Sequence, residues 1–212
     1  MGNQGEKRAH GVSAFSSFQS AREKAVQIHR FVSTQIRFGF TPMFDWASPE
    51  YTLDRRLGHC NPQSSLFVAL CHAAGLEARA HYVKISGDVL DGLGMFPSIL
   101  HHSYSEVHLD GKWVRTDAYI VDPPLYESAT RQLEKEGKRL GYGVHAEGTI
   151  DWDGEKDSFS QMVDPPLSEI CTTVDPLNDV PSQLNFLVRL AIEAGFLVNG
   201  FNAAIQAVGD SA

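Results

Sequence analysis

Leu57-Gly-His-Cys-Asn-Pro-Gln-Ser-Ser-Leu-Phe-Val-Ala-Leu-Cys-His-Ala-Ala-Gly75 places a cysteine where a glycine-bearing turn feeds a helix. Leu66, Phe67, Leu70 and Cys71 give that helix an apolar face, and Gly75 suits the left-handed position just past its end. The first turn of a helix carries unpaired backbone N–H groups and a partial positive charge, a setting that favours thiolate over thiol. Cys60 is thereby the candidate nucleophile, and the helix behind it must be buried against another layer. His59, beside it, reads as an exposed turn residue.

A second stretch, His102-Ser-Tyr-Ser-Glu-Val-His-Leu-Asp-Gly-Lys-Trp-Val-Arg-Thr-Asp117, reads as a β-hairpin. Asp110-Gly111 is a dipeptide favoured in the type I′ turn, and counting outward pairs Leu109 with Lys112, Tyr104 with Asp117 and His102 with Tyr119. Asp117 then becomes the diagonal neighbour of His102 on one face, roughly 7 to 8 Å away at the backbone, a gap that an imidazole and a carboxylate can bridge. His101 points to the other face, and a slip of one residue in register would exchange the two histidines. Cys60, His102 and Asp117 are therefore the candidates for nucleophile, base and orienter.

Outward from these stretches, Ser20 to Gln35 carries Ala25, Ile28, Phe31 and Val32 at helical spacing and predicts a scaffold helix. Gly39, Pro42 and Pro49 break regular structure between Arg37 and Leu57, where Phe38, Phe40, Phe44 and Trp46 supply aromatic bulk to a packed loop. Glu77 to Ile85 reads as a strand, Gly87 to Gly94 as a polar loop, and His101–Leu109 with Lys112–Ala118 as the arms of the hairpin. A helix followed by strands argues for an α+β domain.

Beyond Val121, Val-Asp-Pro recurs at 121, 163 and 174 and marks turns, with a charged helix expected over Tyr126 to Leu140. Leu184 to Val208 predicts an apolar helix that Arg189 and Glu193 interrupt, so it is read as buried or interfacial, able to serve a homo-oligomer as well as a core, and not as a membrane span. The organisation expected is a mobile arm over 1–18, a core over 19–125, and a C-terminal extension over 126–212 packed on the same domain.

With 212 residues and 42% hydrophobic content the chain can bury a real core, and its net charge of −8 without a Lys/Arg cluster argues against nucleic acid as a partner. Its three cysteines cannot form a disulfide framework, because Cys60 and Cys71 lie about 16 Å apart along one helix. The polar start has no apolar segment behind it, and Glu6 stands where a myristoylation signal after Gly2 wants Ser or Thr, so a reducing, cytoplasmic setting is expected. His59, Cys60, His101 and His102 lack zinc-ligand spacing, and no EF-hand loop is present; neither metal nor cofactor is expected.

Gly58-His-Cys60 with Ala69-Leu-Cys-His-Ala-Ala-Gly-Leu-Glu-Ala-Arg79, followed by His102-x-Tyr-x-Glu-Val and Trp113-Val-x-x-Asp117, resembles the transglutaminase-like superfamily over about half of the chain. The resemblance implies a papain-like fold in which the nucleophilic Cys opens a helix packed on an antiparallel sheet or small barrel that carries His and Asp. It implies Cys60 as nucleophile, His102 as base and acid, and Asp117 as the residue orienting the imidazole. Acyl-group chemistry on a peptide, protein or small amide or ester would follow, through a thioester, with transfer to water or to an amine. The Cys60 N–H is one natural oxyanion donor, and by analogy with the indole or amide of related enzymes Trp46 or Gln35 is a candidate for the second. Tyr104, which stands where many members have Trp, is a further pocket candidate. Two alternatives share these residues: a silent peptide-binding domain of the same fold, and an arylamine N-acetyltransferase-like enzyme.

Overall fold

In the computed structural model, which describes residues 20–176 and 196–211, the Ser20 hydroxyl accepts from the Glu23 N–H while the Glu23 carboxylate reaches back to the Ser20 N–H. This capping box satisfies donors that a helix start leaves orphaned, and it opens α1, Ala21–Gln35, whose Ala25, Ile28 and Val32 stripe is buried as the spacing predicts. The expected arm over 1–18 lies outside the described residues. After α1 comes β1, Arg37–Phe38, paired in parallel with β2, Leu57–Gly58. The segment between them, expected as a loop, holds a 3-10 turn at Phe44–Trp46 and a short helix α2, Pro49–Arg55, which Ser48 caps and Pro49 starts.

Helix α3, Cys60–Ala73, is buried on nearly every side through its first nine residues, including the polar Asn61, Gln63, Ser64 and Ser65. Buried polar groups need partners, and the Gln63 amide nitrogen and the Ser64 hydroxyl find theirs on neighbouring elements. Gln63 Nε2 donates to Gly58 O and Ile120 O at 2.7 and 2.8 Å, and Ser64 Oγ lies 2.8 Å from Ser105 Oγ on the sheet. Each of these bonds ties the helix start to a neighbouring element. At the far end Gly75 takes φ +77, as its place past the helix predicts.

The sheet against which α3 packs is antiparallel and open, with order β5-β4-β3-β8, where β3 is Ala78–Ser86, β4 Ile99–Leu109, β5 Lys112–Thr116 and β8 Ser168–Thr173. Asp110 and Gly111 adopt φ 51 and 82, the conformation of a type I′ turn, and the register runs from Leu109 opposite Lys112 to Ser105 opposite Thr116. Pairing stops there, earlier than the expected Ala118, because the next N–H, that of Asp117, turns to Ser158 O at 3.1 Å.

Helix α4, Pro123–Glu136, starts three residues before the expected Tyr126, because Asp122 acts as its N-cap rather than as a simple turn. The same carboxylate accepts from Phe38 N at 2.8 Å, which fastens α4 to β1. Two short strands, β6 at Leu140–Gly141 and β7 at Val144–His145, follow. Residues 184–195 of the predicted Leu184–Val208 helix lie outside the described residues; its described part, α5, Phe196–Gly209, packs against α4 with Val198 and Ile205 buried. Among the described residues no helix is long and apolar enough to cross a membrane. The architecture is the expected α+β class, a helix opened by Cys60 against an antiparallel sheet.

Candidate active site

Cys60 occupies the first position of α3, where its N–H has no acceptor within the helix. Its Sγ lies 3.6 Å from Asn61 Oδ1 and 4.0 Å from His101 O, at the side of a cavity of about 240 Å³. Strand β4 runs past this point and supplies His102, whose Nε2–H donates to Asp117 Oδ2 at 3.0 Å. The bond engages one of the two ring nitrogens. Burial works against a charged His102, but its hydrogen bonds with Asp117 and Cys60 outweigh that penalty and raise the imidazole to about 9. Cys71, eleven residues further along α3, shows the contrast: with no such partner, burial alone pushes its thiol up.

Asp117 is fully buried, and the chain surrounds its carboxylate with donors. Besides His102, Oδ2 accepts from Met162 N at 3.0 Å, while Oδ1 accepts from Ser160 N, from Ser160 Oγ at 3.1 Å and from Gln161 N at 3.3 Å. Each of these donors satisfies an oxygen that burial has removed from water. The strap formed by residues 160–162 carries no helical or strand periodicity, and sequence reasoning missed it for that reason.

The other sequence candidates lie elsewhere. Gln35 is exposed at the end of α1, off the buried stripe, with its amide against Thr34 Oγ1 at 3.4 Å. Trp46 is half-buried in the 3-10 turn and does not line the cavity. Tyr104 shares a strand face with His102, as parity predicts, but two residues further along, about 7 Å, it meets a different neighbour. Its ring stacks on His81 of β3 at 4.7 Å, away from the cavity. None of these three side chains lines the cavity beside Cys60.

His59 corrects a further expectation. It is buried rather than exposed, packed against the rings of Phe40 and Phe44 at 4.9 and 4.5 Å, and its Nε2 lies 2.9 Å from Asp45 Oδ1. That same oxygen accepts from Asn61 Nδ2 at 2.7 Å. Phe38, Phe40, Phe44 and Phe96 make much of the cavity wall, and Asp45, His59, Asn61, His101 and Gln161 contribute its polar part beside Cys60 and His102. Among the described residues no group of three or more His, Cys, Asp or Glu side chains is arranged to hold a metal ion.

Two solved structures of low identity resemble parts of this chain. One, from Cytophaga hutchinsonii and provisionally described as a cysteine protease, is 18% identical with a TM-score of 0.45 over 56% of this chain and 38% of its own. The other, from Parabacteroides distasonis and provisionally described as a protease, is 15% identical with a TM-score of 0.40 over 53% of this chain and 23% of its own. The matched part thus spans well under half the length of either protein. No curated protein matches the sequence. The model of the transglutaminase-like superfamily matches residues 9–118, which is more than half of the sequence and includes Cys60, His102 and Asp117. By that match the chain belongs to the transglutaminase-like superfamily.

Proposed function

We propose that the protein performs cysteine-dependent acyl-group chemistry on an amide or ester through a thioester acyl-enzyme. The single observation that carries this reading is the 3.0 Å bond from His102 to a buried, donor-ringed Asp117, on a strand that runs beside the thiol of Cys60. In the proposed cycle Cys60 and His102 meet the substrate as a thiolate–imidazolium pair, the thiol proton already on the ring nitrogen of His102 that faces sulfur, and sulfur attacks the carbonyl carbon. The Cys60 N–H faces the developing oxyanion. Collapse breaks the bond to the leaving amine or alcohol, which takes the proton from His102, and the acyl group stays on sulfur. Water or an amine then attacks the thioester, gives its proton to His102 and frees the thiolate. Asp117 keeps the imidazole in the tautomer and orientation this exchange needs.

A simple test uses p-nitrophenyl acetate as acyl donor, with p-nitrophenolate release and the intact mass of the protein as readouts. We expect an acetyl adduct on Cys60, none in Cys60→Ala, and acylation slowed at least about 100-fold in His102→Gln, the lower range for a positioned general base. An adduct that forms equally fast in His102→Gln would overturn the reading.

A further inference from the structure

Asp45 is the sole carboxylate among the described residues lining the cavity, and it is about nine-tenths buried in a wall of phenylalanine rings. Its Oδ1 is occupied by His59 and Asn61, while Oδ2 takes no hydrogen bond from any described residue. No described Lys or Arg pairs with it, and its ion-pair partner is a histidine. His59 shares Oδ1 with Asn61, and its own Nδ1 is buried with no hydrogen-bond partner among the described residues. The result is a carboxylate beside a thiol in an apolar cleft, with one oxygen open to the cavity and no Lys or Arg partner among the described residues, a setting that a cationic ligand group would complete.

The backbone points the same way. Phe44, directly before Asp45, has φ 45, a left-handed conformation in which a bulky residue is strained, and such strain persists where surrounding structure enforces a particular placement. Here that placement holds Asp45 on the Cys60 side of the cleft, where both Asp45 and its partner Asn61 line the cavity.

We propose that Asp45 is a specificity residue that anchors an ammonium or guanidinium group of the substrate, with the apolar body of that substrate lying along Phe38 and Phe96. This rests on the acyl-transfer reading above for the word substrate, and it adds the chemical class: an amphipathic cation. The anchored cation is a handle and not the attacking amine, because a neighbouring carboxylate keeps an amine protonated and so without a lone pair to attack with.

The experiment measures binding of three non-reacting ligands of similar shape, phenethylamine, 2-phenylethanol and 3-phenylpropanoate, to the full chain by calorimetry. We expect the amine to bind at least about tenfold more tightly than the alcohol, and the carboxylate most weakly. Asp45→Asn keeps an oxygen for His59 and Asn61 and removes the charge; in it the amine should lose its advantage. Equal affinities in the unaltered protein, or a preference that survives in folded Asp45→Asn, would overturn the assignment. Protection of Cys60 from iodoacetamide locates the ligand without relying on any variant, and an amine that binds yet leaves alkylation unslowed also overturns it. Because none of the ligands is an acyl donor, the two readings fail separately. Amine preference without an acyl-enzyme removes only the catalytic role, and an acyl-enzyme without amine preference removes only the anchor.

Discussion

Asp117→Asn, the conservative change at the buried carboxylate that pairs with His102, is expected to cost fold stability as well as activity. Every partner of the carboxylate among the described residues is a donor: His102 Nε2 and Met162 N on Oδ2, and Ser160 N, Ser160 Oγ and Gln161 N on Oδ1. An asparagine must turn its NH₂ toward one of these two groups, and whichever it faces, at least two buried donors lose their acceptor. A hydrogen bond to a charged partner contributes about 1.5–3 kcal/mol, so two of them amount to about 3–6 kcal/mol. Total stabilities run to about 5–15 kcal/mol, so this is a large share. At about 2–4 °C per kcal/mol for a chain of this size, Tm should fall by on the order of 10 °C. The imidazole changes with it: without the Asp117 bond, burial is the dominant influence on His102 and should carry it from about 9 toward or below its ordinary 6.5. Thermal melts and an NMR titration of the His102 ring check the two consequences. A variant melting within about a degree of the parent, with His102 still titrating near 9, would refute the account of the donor ring.

Stability should peak near pH 6.5 because of two buried histidines of opposite sign. His29, lowered to about 3 by burial, takes up a proton only on unfolding between 3 and 6.5, so stability falls as pH drops through that window. His102, raised to about 9, holds a proton in the fold that the unfolded chain releases above 6.5, so its contribution is complete below 6.5 and lost as pH rises through 9. Urea midpoints across this range check both limbs, and the basic limb should flatten in His102→Gln. Asn202→Ala removes two bonds from α5, Oδ1 accepting from Phe40 N at 2.8 Å and Nδ2 donating to Phe40 O at 2.7 Å. A loss of about 1–3 kcal/mol is expected, with weaker protection of Cys60 by cleft ligands, and a denaturant midpoint equal to the parent's would count against the clamp.

The parts of the molecule legible in sequence are those that local rules specify. An apolar helix with a glycine past its end, and an Asp-Gly dipeptide between alternating strands, locate α3 and align β4 with β5 without any tertiary information. Parity then separates His102 from His101. What parity does not supply is the neighbour a side chain meets after a few residues, which is why Tyr104 proved to stack on His81. The strap at 160–162 and the Asp45 corner are made by loop segments whose partners lie far along the chain, and no spacing rule connects them. His59 was misread for a related reason: a turn residue is exposed by default, and only the rings of Phe40 and Phe44 bury it.

The strap also bears on how the protein is born. Ser160 follows Asp117 by 43 residues, and Asn202 follows Phe40 by 162, so both the donors for the carboxylate and the clamp on the cleft wall arrive late. On the ribosome the thiol of Cys60 therefore emerges long before the groups that steady its histidine. A nascent chain displays the sulfur before residues 160–162 have been made, and the Asp117 carboxylate gains its donors only when that strap folds back onto it.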